Sequence, residues 1–214
     1  TENPVCSMPM NIINVTDSAS IIRHIKLLMP KVVVLEVNEE TLCTDRFIPK
    51  MNYQTEVLEN GILQLSNGTI FIIDETKFSI SSISGISEQK KEILHKNIRA
   101  LKRLVKEQTL EYDYTHYPIT LDCDINVLVL SREPSLLNLG LPFTLAIPPQ
   151  FCDGIDPANV IQTELALRGC RHTIQMCRKR IEQIVIPEHI NKEITDSFVK
   201  IRSSGTATGD ACDL

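Results

Sequence analysis

A doubly wound α/β fold, with a mostly parallel five-stranded sheet and a helical appendage at its C-terminal end, follows from three observations in the sequence. Five short runs rich in Ile, Val and Phe are bounded by polar or turn residues: NIINV (11–15), VVVLEV (32–37), TIFIID (69–74), INVLVLS (125–131) and FTLAIP (143–148). Their hydrophobicity is nearly continuous rather than alternating, as expected of strands covered by helices on both faces. Segments with helical spacing lie between them, and alternating strands and helices joined by right-handed crossovers give a doubly wound layer structure.

After the first run, Ile21, Ile22, Ile25 and Leu28 share one helical face, with Asp17 or Ser18 placed to cap the start and Pro30 to stop it. A second helix is predicted over 52–64. A third, over 87–108, carries Leu94, Ile98, Leu101 and Val105 on one stripe and seven cations elsewhere, among them Arg99, Lys102 and Arg103, so it is amphipathic and basic. After the fifth run the rhythm breaks: Val160, Ile161, Leu165, Cys170, Ile174, Cys177, Ile181 and Ile184 follow helical spacing over about eight turns, predicting one long helix across 157–186. Pro187 ends it, and HINKEITDSFVKIR adds a shorter helix. The Ser-rich stretch 79–87 reads as a mobile surface loop. The predicted organisation is an α/β core over 1–155, a helical appendage over 156–202 and a disordered tail over 203–214, whose small polar residues have little to bury.

With 43% apolar residues among 214, the chain has material for a sizeable core. A net charge of −5 disfavours a surface built to neutralise nucleic-acid phosphates, so direct nucleic-acid binding is not expected. Seven cysteines form an odd set without a C-x-x-C pair, which speaks against a complete disulfide framework or a common zinc motif and for a reducing compartment. The five histidines never form H-E-x-x-H, and no metal or cofactor is expected. No apolar run approaches the roughly 20 residues that cross a bilayer, and no signal peptide is evident, so a soluble, intracellular protein is expected. The sequons at Asn14 and Asn67 then read as chance matches. The start at Thr1, without a methionine, suggests a fragment or a processed product.

The third run ends in Asp74 and Glu75. In nucleotide-driven motors such a strand delivers the carboxylates that hold magnesium and activate water, and the phosphates sit at the turn after the first strand. There a glycine-rich loop turns N–H groups inward and a lysine neutralises charge. Here that turn reads NVTDSAS, with no glycine, no lysine and a carboxylate, Asp17, where an anion should bind. Asp17, Asp74, Glu75 and Ser131, the last at the end of the fourth run, are therefore candidate positions of a degenerate nucleotide site, with no catalytic residue among them. The bland reading is a strand end and turn whose polar side chains bond local N–H groups, and it is preferred. Cys170 and His172 lie two apart on a helix and point apart, so they form no nucleophile–base pair. Asp122 and Asp124 read as a polar strand entrance rather than an acid/base pair. Arg99, Lys102, Arg103, Arg171 and Arg178 are candidates for docking an acidic partner. Two alternatives remain: an atypical ATPase using Asp74 and Glu75, and a DNA-contacting clamp through the basic helices.

RFIPKMNYQTEVLENGILQLSNGTIFIIDET (46–76) resembles a segment of the mini-chromosome maintenance complex-binding proteins, with its basic-x-Pro-x-x-Tyr start, Gly-Leu/Ile-Leu-Gln-Leu stretch and IDET strand. EYDYTHYPITLDCDINVLVLS followed by PSLL (111–137) is similar to the family's Asp-Tyr-Asp-Phe/Tyr, Cys-x-Ile-Asn-Val and Ser-Leu-Leu pieces, and INKEITDSFVKIR (190–202) to a later helix. Together these cover most of 10–202 in order; the Ser-rich loop, the basic material at 79–108 and the early end depart from the pattern. Family members are longer, so the resemblance implies a C-terminal portion. It further implies a degenerate AAA+-like core with strand order 5-1-4-3-2 and a helical lid after the fifth strand. It implies a non-enzymatic factor, a pseudo-ATPase, that binds MCM helicase subunits in the nucleus, with a possible cytoplasmic pool. Support of their assembly, stabilisation or unloading from chromatin during DNA replication and cell division, and links to sister-chromatid cohesion, follow from the same resemblance, with chromatin reached indirectly.

Overall fold

The computed structural model describes residues 8–79, 85–148, 164–181 and 187–205. The elements run β1 (Met10–Ile13), α1 (Ser18–Leu28), β2 (Val32–Glu36), α2 (Glu39–Cys43), β3 (Lys50–Asn52), β4 (Val57–Glu59), β5 (Thr69–Asp74) and α3 (Glu88–Glu107). They continue with β6 (Thr109–Asp113), β7 (Pro118–Asp122), β8 (Ile125–Leu130), β9 (Phe143–Ala146), α4 (Glu164–Ile181) and α5 (Glu188–Gly205). Contacts divide the chain into Thr1–His172 and Thr173–Leu214, the division falling within α4.

The five apolar runs become β1, β2, β5, β8 and β9 of one parallel sheet in the order β2-β5-β8-β1-β9. Counted along the chain as five strands, that is 5-1-4-3-2, the order implied by the resemblance. Near-continuous hydrophobicity has the expected cause, because alternate residues enter two cores. Phe71 and Ile73 of β5, Val127 and Val129 of β8 and Leu35 of β2 join Leu42 of α2 and Leu94, Leu101 and Leu104 of α3 on one face. Ile72 and Leu130, with Ile70, Val32 and Val34 around them, meet Ile21, Ile22 and Ile25 of α1 on the other. Each fully buried Leu, Ile or Phe side chain stabilises the fold by about 1.5–3 kcal/mol relative to exposure.

Local chemistry places the helices. Asp17 caps α1 by accepting from the Ser20 N–H at 3.2 Å. Asn38 and Thr41 form a reciprocal capping box at α2, and Ser87 caps α3. Gln108 takes the left-handed conformation (φ 52°) that ends α3. Its amide donates back to the Leu104 carbonyl at 2.9 Å and accepts from the Ile125 N–H at 2.8 Å, tying the helix end to the start of β8.

The structure corrects the helix predicted over 52–64. β3 and β4 form a hairpin there: the Asn52 side chain accepts from the N–H groups of Gln54 and Thr55, and Glu56 turns with φ 56°. An asparagine that captures the next backbone donors favours a turn over a helix start. Gly61 then brings the chain against residues 46–48, where the Ile62 and Leu63 N–H groups donate to the Arg46 and Phe47 carbonyls at 3.0 Å each. A second sheet, β4-β3-β6-β7, is mixed: β6–β7 is an antiparallel hairpin and β3–β6 is parallel. It was not expected from the apolar runs, because its strands are short and only half apolar.

The long helix predicted over 157–186 is described as α4 over 164–181, its predicted flanks lying outside the described residues. Residues 80–84 of the Ser-rich stretch and 206–214 of the predicted tail also lie outside them, and α5 continues through Gly205. Along α5, Ile190, Ile194, Phe198 and Ile201 follow four-, four- and three-residue steps and are exposed. No helix among the described residues is long and apolar enough to cross a membrane.

Candidate functional site

The C-terminal ends of β1, β5 and β8 meet at the edge where a doubly wound sheet places its ligand. Here the first turn is sealed against its neighbour. The Asn14 and Val15 N–H groups, which a phosphate cradle would aim at its anion, donate to the Arg132 and Ser131 carbonyls at 3.2 and 3.1 Å. Ser131 N–H donates in return to the Ile12 carbonyl at 3.0 Å. Asn14 adopts φ 62°, and its side-chain amide donates to the Ile147 carbonyl at 3.2 Å, fastening the turn to the strand on the far side as well. Val15, 1% exposed, is packed into the core beneath. The turn therefore closes on protein acceptors.

The four candidate positions are each engaged. Asp17 is the α1 cap described above. Asp74, buried, accepts from the Thr76 N–H at 3.0 Å and from its hydroxyl at 2.6 Å, and Thr76 Oγ1 lies 3.3 Å from the Ser18 hydroxyl. The Ser131 hydroxyl, buried, donates to Asn11 Oδ1 at 3.0 Å. Glu75, 3% exposed, accepts from the Ser135 hydroxyl and the Leu136 N–H, both at 2.8 Å, holding the loop after β8. Arranged this way, the carboxylates bind protein donors and stabilise turns.

Burial pushes the Glu75 carboxyl above the usual glutamate range, opposed by the bonds from Ser135, Leu136 and Leu137. Because its folded pKa is raised, the folded protein holds more proton than the unfolded chain between the ordinary and the raised values. Stability is therefore expected to fall as pH rises through that window and to level off above it. Glu75→Gln is expected to flatten this component; urea denaturation of both proteins across pH 4–8 checks it, and identical slopes would contradict it.

The docking candidates are less uniform. Arg99 is exposed on α3 and Lys102 is half-buried. Arg103 is held internally, by an ion pair to Glu111, another to Glu107 at 3.3 Å and a contact to the Thr120 hydroxyl at 3.4 Å. Arg171 donates twice to the Leu27 carbonyl, at 2.9 and 2.7 Å, capping the last turn of α1. Arg178 lies on α4, its side chain outside the described residues. Asp122 and Asp124 flank Cys123, and burial and then those charges push its thiol up to about 11, far from a nucleophile's range. Among the described residues, no three or more His, Cys, Asp or Glu side chains assemble to hold a metal ion.

An aromatic group escaped the sequence analysis. Tyr114 and Tyr117 stack with ring centres 5.6 Å apart at 7°, Tyr53 lies 5.6 Å from the His116 ring, and the Tyr53 hydroxyl donates to the Tyr114 carbonyl at 2.8 Å. The two segments that carry the family resemblance, around FIPKMNY and YDYTHY, thus meet at the tip of the second sheet. The available signal was the apolar alternation of Leu110 and Tyr112 with Ile119 and Leu121 around a short polar turn.

A parallel sheet in the order 5-1-4-3-2 with a second, mixed sheet, a carboxylate at the end of its third strand and a first turn closed on its neighbour define an α/β protein of the doubly wound class. The chain belongs to the mini-chromosome maintenance replisome factor family, whose model matches residues 2–213. It is 28% identical over 197 residues to a mini-chromosome maintenance complex-binding protein of Gallus gallus, an alignment covering 91% of this chain and 30% of the relative. Similar proteins of the same name occur in Homo sapiens (27% over 204 residues, 94% of this chain and 30% of the relative) and Arabidopsis thaliana (26% over 178 residues, 80% and 28%). The chain spans about 30% of the length of these relatives.

Proposed function

We propose that the chain is a non-enzymatic binding module for subunits of the MCM helicase. The observation that carries this reading is the sealed first turn: the Asn14 and Val15 N–H groups are spent on the Arg132 and Ser131 carbonyls, so a motor-like sheet is left without a phosphate cradle. The relatives' name, MCM complex-binding protein, supports the partner. A chain with a motor-like core and no cradle can pack beside MCM subunits without a hydrolytic cycle, and acts by contact. In this reading Asp17, Asp74, Glu75 and Ser131 are relics of a nucleotide edge put to structural use. Arg99 and Lys102 offer the accessible part of the cationic docking face, because Arg103 and Arg171 have internal partners. The proposed setting is the nucleus, with assembly, stabilisation or unloading of the helicase from chromatin as the outcome.

Two measurements test this. Titration with a fluorescent ATP analogue and magnesium is expected to show no saturable binding; binding abolished by Asp74→Ala would favour the ATPase reading instead. The tagged chain is expected to recover MCM subunits from nuclear extract, with Arg99→Glu/Lys102→Glu lowering recovery about tenfold, the loss of one or two favourable charge contacts. Absence of every MCM subunit from the wild-type eluate would remove the proposal.

A further inference from the structure

Among the described residues, β7 is the last strand of the second sheet and is paired with β6 on one side only. Its register sets Ile119 opposite Tyr112 and Leu121 opposite Leu110. Directly opposed residues share a face, so Ile119 and Leu121 continue the face on which Leu110 is buried in the core. Yet Ile119 is 39% and Leu121 48% exposed, and Tyr117, just before the strand, is 56% exposed. The apolar face thus runs past the end of its own core.

Among the described residues, the outer backbone edge of the same strand has no paired strand. Cys123 N–H donates to the Gln108 carbonyl at 2.8 Å, and antiparallel alternation then turns Ile119 and Leu121 toward β6. The N–H and C=O groups of Thr120 and Asp122 point away from the sheet, and no strand among the described residues pairs with them. Natural edges are blunted by lysine, proline or a bulge. Here the protection is Pro118 at one end and the exposed carboxylate of Asp122 at the other, with no lysine in the strand.

Charge selects the occupant. Asp122, exposed, and Asp124, two residues on, take part in no ion pair among the described residues. A second copy of β7 paired in parallel register, or antiparallel about Asp122, would set these like charges together, which opposes those pairings. We propose that the outer edge of β7 takes an added strand from a partner protein, an extended segment alternating apolar residues with Lys or Arg. Its apolar side chains cover Ile119 and Leu121, its cations meet Asp122 and Asp124, and its backbone bonds the outward groups of Thr120 and Asp122. The site is independent of the cationic face of α3 and does not require the partner to be an MCM subunit.

The probe is a capped ten-residue peptide of alternating valine and lysine, titrated into the full 214-residue chain. Binding is expected to slow amide exchange of Thr120 and Asp122 about tenfold or more, without slowing residues of β2 at the far sheet. Thr120→Pro, which removes an outward N–H at a position β6 does not bond, and Asp122→Lys are each expected to weaken the peptide about tenfold. The valine–glutamate counterpart is expected not to bind. Unchanged exchange at Thr120 and Asp122 overturns the site; equal binding of the acidic peptide overturns the charge assignment. Slowing that grows with protein concentration in the absence of peptide assigns the edge to a second copy instead.

Discussion

Gly61→Ala is expected to lower the unfolding free energy by about 3 kcal/mol, the scale at which a core cannot absorb a new atom without moving backbone. A Cβ built at Gly61 stands 2.4 Å from the Phe47 carbonyl oxygen and 2.5 Å from the Ile48 carbonyl carbon. These are main-chain atoms, so no rotamer change relieves the contact. Separation of the two segments also stretches the bonds from Ile62 and Leu63 N–H to the Arg46 and Phe47 carbonyls, and Phe47, fully buried, is displaced with them. Equilibrium denaturation followed by circular dichroism measures the loss; a loss under about 1 kcal/mol would show that this junction yields easily.

Asn97 is expected to give the second large effect. It is 4% exposed on α3, and its side-chain amide donates to the Leu42 carbonyl at 2.9 Å and the Asp45 carbonyl at 2.8 Å, finishing the end of α2 from the neighbouring helix. Asn97→Ala leaves two carbonyls without that donor and a small cavity, about 2–4 kcal/mol. Asn97→Asp is expected to cost more at neutral pH than alanine does, because it sets a buried anion against two carbonyl oxygens, and to recover as acid protonates it. Urea denaturation at two pH values separates the variants, and an aspartate no worse than alanine at neutral pH would contradict the assignment.

The parallel sheet was legible because its strands are covered twice, so each run is apolar almost without interruption and stands out at any register. Its helices were legible where one face alternates with charge, as in α1 and α3. The hairpin β3–β4 was not: Val57, Leu58, Ile62 and Leu63 suit a helical face as well as a strand, and what decides between them is the capture of two N–H groups by Asn52. β6 and β7 were passed over because their apolar residues alternate with polar or charged ones and one strand is exposed along its whole length. Of the candidate nucleotide positions, the lack of glycine and lysine after β1 was visible in the letters. The reciprocal bonds between 12–15 and 131–132 join residues more than a hundred positions apart, and no local pattern announces them. Arg103 and Arg171 illustrate the same limit, since a cation on a basic helix reads identically whether it faces water or a carbonyl.

Those reciprocal bonds between 12–15 and 131–132 carry a consequence for anyone seeking to build a phosphate site into this turn. Grafting glycines and a lysine into NVTDSAS supplies the flexibility and the positive charge, yet the amides would still be bonded to Arg132 and Ser131, and Val15 would still have to leave the hydrophobic interior. Such a graft therefore needs coordinated redesign of both the first and fourth strand ends, so a phosphate pocket lies several simultaneous changes away.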